Sequence, residues 1–588
     1  MATTPSLTPF TERSNDITKN IDIANAEQIF DLIHTANNET FHGNSDDPIC
    51  NGILNKICIE QCALVAETIV KNIFTNPNGK IVLSGCGTSG RIGFMVTRAF
   101  NKILNNLSLP KYYEYLLAGD DRSLFISQEA KEDEWNVGSS ELASLAKSYS
   151  RVIYFGITCG LSAPYVAGQL DYCLHNDKFI PVLLGFNPVE LARKHTLHGL
   201  GKCFYDIAVE MKNSHIINPV LGAEPITGSS RMKGGTATKI ILETIFIAAH
   251  LKAGHIPSNL STKTYPEIVQ YFFENIYYKA YQQYPVYKNQ TISLIQSCGD
   301  SLIKKTPNKE DGHIYYVANG TFGVLGLIDA SECPPTFGTD YNTIRGFLYN
   351  AYDALCNIEG DLEAKFGDLY AISWNRFELL FSSLNQCDTV ILLISESDNL
   401  EYTKRVINEV KKLPCTMFGI IKEMSGNKPL IDLFDNCIEI LNPKNLLSSS
   451  EILNVTGIDF YEEIILKWIL NTITTGAHIL QGKILENYMI DVQPTNFKLY
   501  NRLLEIVMRF SGASVEKCTN AIISAIYQDD DPTPYLSNDV TIHVSRAIGA
   551  KKVVAIAILI ASRNLTVSIA NKYLEDNPVI RNAISSYK

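Results

Sequence analysis

"LSGCGTSGRIGF", Leu83–Phe94, sets Gly85, Gly87 and Gly90 in a G-x-G-x-x-G spacing straight after the β-rich run "KIVLSG", Lys80–Gly85. The following "GRIGFMVTRAFNKIL" has helical periodicity, so the glycines stand where a strand passes into a helix. Backbone N–H groups can approach a phosphate closely at such a junction, and the helix N-terminus favours its charge. A dinucleotide site would also need an acid about 20 residues on, ending the second strand, to hold a ribose. The nearest acid at a strand end is Asp120, well beyond that distance. A Walker-type loop fails as well, because no Lys-Ser/Thr pair closes it. The loop offers Thr88 and Ser89 instead, two hydroxyls at the helix start. They either cap the helix or donate to a phosphomonoester.

Outward from this loop, strand and helix patterns alternate. "KYYEYLLAG" reads as a strand, "LASLAKSYS" as a helix, "RVIYFGI" (Arg151–Ile157) as a strand, "CGLSAPYVAGQLDYC" as loop and helix, and "FIPVLLGF" as a strand. The stretch before them, from about Asn25 to Asn76, reads as helical. Such alternation implies a parallel sheet with right-handed crossovers. The pattern then restarts. "HIYYVANGTFGVLGLIDASE" (His313–Glu332) repeats "KIVLSGCGTSGRIGFMVTRA", and "TVILLISESDNLEYTKRVINEV" repeats "RVIYFGITCGLSAPYVAGQL". Gly87 pairs with Gly320 and Val152 with Val390, two motifs recurring in order at nearly one offset. The chain is an internal duplication of one α/β domain.

The second strand-end loop of the first copy, "GITCGLSAP", brings Thr158, Gly160 and Ser162 to the carboxyl end of the sheet, where ligands of α/β domains bind. Hydrogen bonds to a charged group contribute about 1.5–3 kcal/mol each, so a few suffice for micromolar binding of a phosphate ester, about −8 kcal/mol.

Composition narrows the partners. The chain has 588 residues, 46% hydrophobic and 19% charged, an ordinary globular balance. A formal net charge of −11 disfavours nucleic acid and acidic membranes, which call for a basic footprint. "VVAIAILIA", residues 553–561, is too short to cross a bilayer that needs about 20 residues and reads as a core segment. The N-terminus lacks a signal-peptide layout, and 14 cysteines without a C-x-x-C point to reduced thiols inside a cell. Cys58 and Cys62 read as core packing. No metal or cofactor is expected.

"GCGTSGR", "GITCGLSAP" and "TGSSRMKGGTATK" resemble the sugar isomerase (SIS) domain as it occurs in the glucokinase regulatory protein family and in bacterial N-acetylmuramic acid 6-phosphate etherases. The tandem copies and the stretch "KWILNTITTGAHILQGKILENYM…NFKLYNRLLEIVMRFSG" are more similar to the regulatory family. That resemblance implies two tandem SIS domains with parallel sheets flanked by helices, plus a helical C-terminal lid: an N-terminal segment 1–27, a first SIS domain 28–262, a second 263–484 and the lid 485–588. It implies a fructose phosphate held by Gly87, Thr88, Ser89, Gly90, Thr158, Cys159, Gly160 and Ser162. Glu132 contacts the sugar, and Lys498, with Arg502 one turn on, reaches in from the lid. In the SSRMK stretch, Ser229, Ser230, Arg231 and Lys233 orient ligand or tie the domains. It also implies a glucokinase- or hexokinase-type partner inhibited with fructose 6-phosphate and relieved by fructose 1-phosphate, in the cytoplasm with the nucleus as a second compartment. Without the resemblance, Lys498 reads as a solvated helix residue.

In etherases a Gly-Thr loop is followed by "DASECPPT", whose glutamate is catalytic. The first copy has Ala99 at that place. The second copy keeps "DASECPPT" with Glu332, but Phe322 and Val324 replace the serine and arginine of its phosphate loop. Each copy retains half a site, and in a pseudo-dimer Glu332 can face the first copy's loop. Two readings follow. One is a non-catalytic fructose-phosphate-dependent regulator. The other is an etherase-like lyase using Glu132 and Glu332 as the acid–base pair. A sugar-phosphate isomerase is a weaker third. The reciprocal site, without the serine and the acid, is expected to be dead.

Overall fold

The computed structural model describes residues 8–44, 46–306, 311–395, 399–423, 428–441 and 459–586. Its first sheet is parallel throughout, in the order β2-β1-β3-β4-β5, from β1 (Gly79–Gly85), β2 (Tyr113–Leu117), β3 (Arg151–Ile157), β4 (Phe179–Leu184) and β5 (His215–Ile217). All of β3 beyond Arg151 is buried, as helices on both faces of a parallel sheet require. The second sheet comprises β6 (Ile314–Ala318), β7 (Ile344–Leu348), β8 (Thr389–Ile394), β9 (Thr416–Lys422) and β10 (Cys437–Ile440), in the order β7-β6-β8-β9-β10. The two orders are the same. The duplication read from the motifs is therefore a duplication of topology.

In each sheet the chain steps outward from its first strand to its second, then crosses back to the other side of the first. The gap between β1 and β3 is thus the switch point at which a crevice opens beyond the strand ends. The loops after these two strands are the Gly87 and Thr158 loops.

The principal helices are α1 (Ala26–Asn37), α2 (Lys56–Ile69), α3 (Gly87–Asn106), α4 (Lys233–Lys252), α5 (Gly320–Phe337), α6 (Phe460–Leu480), α7 (Phe497–Ser511), α8 (Val515–Tyr527) and α9 (Val553–Arg563). Asn25 and Gln28 close a capping box at the start of α1. Helices α4 and α6 are buried on every side except at their last residues, the mark of core helices. One continuous apolar core runs from Ile21 to Ala583 and joins both copies to the C-terminal helices. The "VVAIAILIA" run lies in α9, buried against α7 and α8. No single helix among the described residues is long and apolar enough to cross a membrane.

Two local readings change, and that of Cys58 and Cys62 as core packing agrees with the structure. Residues 43–55 interrupt the helical stretch read from Asn25 to Asn76. Gly43 and Gly52 take φ of +70° and +62°, and a Cβ at either would collide with backbone, at 1.8 Å from the Cys50 carbonyl oxygen in the first case. A short antiparallel hairpin, Ile484–Leu485 with Tyr488–Met489, precedes the lid helices. Cys58 and Cys62 are buried on α2 as free thiols with sulfurs 4.0 Å apart. Beyond Leu441, the polar segment Leu441–Leu453, to which the sequence assigns no kinase contact, lies outside the described residues.

Candidate functional site

The first turn of α3 starts at Gly87, whose φ of +49° turns the chain from β1 into the helix. Gly90 lies so close to the strand that an added Cβ would be 2.5 Å from the Gly85 carbonyl oxygen and 2.3 Å from Leu117. Only glycine permits that approach. It brings Ser89 against the second loop, its hydroxyl 3.5 Å from the Cys159 sulfur. In that loop the Ser162 N–H donates to the Thr158 hydroxyl at 3.3 Å, and the Gly160 carbonyl accepts from Asn187. The hydroxyls of Ser89, Thr158 and Ser162 thus gather at the switch point, lining a cavity of about 50 Å³ together with Cys159, Gly160, Thr11 and Glu12. Burial pushes the Cys159 thiol up to about 11, keeping it neutral at physiological pH.

A second cavity of about 90 Å³ adjoins the first and shares Cys86, Glu132, Gly228, Ser230, Lys498 and Arg502 with it. Its far wall belongs to the second copy and includes Glu332, Pro335 and Thr336. Glu332 is 3% exposed, and its Oε1 has no hydrogen-bond partner. Burial raises its pKa, opposed by Arg91, Lys467, Arg231 and the Thr88 hydroxyl. The second copy's glutamate therefore does face the first copy's loop.

The C-terminal helices close the crevice. Asn496 caps α7 through the Leu499 N–H and also donates to Glu129, while the Phe497 N–H donates to Asp133. These contacts fasten the start of α7 onto the short turn Glu129–Asp133, so Lys498 meets Glu132 at 2.8 and 3.0 Å. Burial alone would lower the Lys498 pKa, but the carboxylates of Glu132 and Glu129 outweigh it and hold it above the ordinary lysine range. Arg502 forms a two-pronged pair with Glu12 at 2.9 and 2.7 Å.

The SSRMK stretch divides between two tasks. Ser229 and Ser230 line the larger cavity, as does Arg231. The guanidinium of Arg231 also spans the copies, reaching Asp329 at 3.4 Å on α5 and Thr475 at 2.6 Å on α6. Lys233 turns away to Glu39 and the Leu221 carbonyl.

All twelve residues named from the sequence, Gly87 to Gly90, Glu132, Thr158 to Gly160, Ser162, Glu332, Lys498 and Arg502, meet around these cavities or at the α3 turn that frames them. Sequence reasoning did not single out Arg91 or Glu12. Arg91 is 1% exposed and lines the larger cavity, with Nε on the Ser123 carbonyl and no partner at Nη2. The substitution of its counterpart by Val324 was the available signal. Glu12 had none, being brought in by the fold of an irregular segment.

The second copy's corresponding loop is filled. Phe322 is fully buried, and the Ser395 hydroxyl donates to the Asn319 carbonyl at the helix start.

Residues 63–174 match the N-terminal SIS domain of glucokinase regulatory protein, residues 288–481 its second SIS domain, and residues 486–584 its C-terminal lid domain. Glucokinase regulatory protein of Xenopus laevis is 33% identical over 98% of this chain and 93% of its own, and that of Homo sapiens is 35% identical over 98% and 92%. N-acetylmuramic acid 6-phosphate etherase of Aliivibrio fischeri is 31% identical over 36% of this chain and 65% of its own. Among solved structures, the C-terminal domain of glucosamine-fructose-6-phosphate aminotransferase from Francisella tularensis aligns over 77% of this chain and 95% of its own, with 12% identity and a TM-score of 0.42. By full-length similarity, tandem sheets of one topology and a matching lid, the chain belongs to the glucokinase regulatory protein family.

Proposed function

We propose that this chain regulates a glucokinase-type enzyme and that fructose phosphates, bound between the two copies and the lid, set its inhibitory state. The carrying observation is the convergence of Ser89, Thr158 and Ser162 with Lys498 and Glu132 on one pair of adjoining cavities. Hydroxyls and the α3 N-terminus suit a phosphate monoester, Glu132 suits sugar hydroxyls, and Lys498 and Arg502 supply charge-assisted donors from the lid. A ligand alters a partner's binding only through unequal affinity for two arrangements of the chain; a shift from 1:99 to 99:1 needs about 5.5 kcal/mol. With its cations engaged by Glu132 and Glu12, the lid gives a phosphate ester something to exchange. The test is a glucokinase assay with this protein and either ester added. Slowing that deepens with fructose 6-phosphate and reverses with fructose 1-phosphate supports the proposal; no effect on the kinase under either ester overturns it.

A second reading is favoured by one observation: Glu132 and Glu332 line the same cavity. Two carboxylates there are the minimum for eliminating a lactyl ether, one taking the sugar C2 proton and the other assisting departure of the lactyl oxygen. D-lactate released from N-acetylmuramic acid 6-phosphate, and lost in Glu332→Gln, would establish it.

A further inference from the structure

The two core helices carry the same pair of positions. Helix α4 has Lys239 and Glu243, and α6 has Lys467 and Asn471, each pair one turn apart. Across the boundary between copies each lysine faces the residue four positions before the other lysine. Lys239 meets Glu463 at 2.7 Å and also pairs with Glu243. Lys467 meets Gly235 instead, its Nζ lying 3.5 Å from the Cβ position that glycine leaves open. The duplication thus gives one lysine two carboxylates and deprives its counterpart of both. Among the described residues the acceptors of Lys467 are neutral, the Arg231 carbonyl and the Asn471 side-chain oxygen, both at 2.7 Å.

The space at Gly235 is also where the copies touch the ligand loop. The Thr88 methyl lies 3.0 Å from the same Cβ position, so the Lys467 ammonium sits beside the phosphate loop. Around it are Glu332 and Asp329 of α5, and Arg231 and Glu224 from the segment before α4. Arg91 of α3 faces Glu332 from the loop side.

We infer that Lys467 is a positioning residue of the sugar-phosphate site: from beside Thr88 its ammonium faces Glu332 and contributes positive charge that a phosphate ester meets. The inference rests on the reading of the cavities as a sugar-phosphate site. Glu332 meets the Thr88 hydroxyl and leaves Oε1 open to a ligand hydroxyl. Loss of the Lys467 proton removes a positive charge from the same place and leaves the site more negative, which disfavours a dianion. The titration falls in an accessible range, because burial lowers Lys467 to about 8 against the pull of Glu332 and Asp329. Lys498 is held on the other side of the ordinary value.

The test is calorimetric titration of the full chain with fructose 6-phosphate and fructose 1-phosphate from pH 6.5 to 9.5, using wild type, Lys467→Arg and Lys467→Met. A single proton needed for binding weakens wild-type affinity roughly tenfold between pH 7 and pH 9. Lys467→Arg binds like wild type at pH 7 and lacks this alkaline loss. Lys467→Met binds roughly tenfold more weakly at pH 7 with a flat profile. Wild-type affinity that is level across the range, or an alkaline loss that persists in Lys467→Arg, overturns the inference even if Lys467→Met does not fold. Wild type that binds neither ester at any pH overturns the reading of the site itself, a result distinct from normal binding without the pH dependence.

Discussion

Lys498, on the first lid helix, donates to both oxygens of Glu132, on the turn after the second strand, so one ion pair locks the lid to the first copy across the mouth of the cavities. A phosphate ester would compete for that ammonium. Lys498→Met is expected to weaken fructose-phosphate binding by ten- to a hundredfold, since a hydrogen bond to a charged group contributes about 1.5–3 kcal/mol. Calorimetry checks this; unchanged affinity would place the lysine outside the binding machinery.

Ser89→Phe copies into the first loop the residue that the second copy carries at Phe322. The expected outcome is loss of ligand-induced thermal stabilisation with the far-ultraviolet circular dichroism of wild type. Stabilisation by fructose phosphates that survives in this variant contradicts the role given to the α3 turn.

Arg231 and Asp329 are both almost fully buried and tie the two copies together. Arg231→Met removes the cation that hydrogen-bonds Asp329; breaking a buried pair costs about 3–5 kcal/mol, and the nearby Lys467 sets the expectation at the lower end. Denaturant unfolding should show a lowered midpoint. Because the pair sits between the copies, loss of coincidence between probes placed in each copy is the accompanying sign.

His250 is buried among Phe74, Phe100 and Tyr113, and burial, assisted by His255, holds its pKa down at about 3. A histidine whose folded pKa is depressed binds more protons when unfolded between about pH 6.5 and 3, so its contribution to stability falls as pH drops through that window. The stability difference between wild type and His250→Gln should therefore shrink between pH 7 and pH 4.5. A difference constant with pH would show that the ring is not held neutral.

The fold was legible where apolar runs end in glycine. "RVIYFGI" is β3 residue for residue, and the recurrence of Gly87 at Gly320 announced a second sheet of the same order. Residues 43–55 were misread although Gly43, Pro48 and Gly52, set among Asn and Asp, are turn signals in the sequence itself; the apolar spacing on either side outweighed them, and the collisions that forbid helix at Gly43 and Gly52 come from backbone folded back in space. In the site, the loop hydroxyls were legible because strand, glycine and helix fix their place. Lys498 was reachable only through family resemblance, because nothing local marks a helix lysine as facing a cavity. Glu12 and Lys467 acquire their neighbours from segments hundreds of residues away, and no pattern within either stretch encodes that.

Phe322 fills the loop that corresponds to the one holding Ser89. Two identical subunits must carry two live pockets or two ruined ones, whereas a fused pair can let one decay while its twin is kept. Saturation should accordingly follow a simple hyperbola with one molecule taken up per chain, and any steepness in the kinase's response must arise from the kinase.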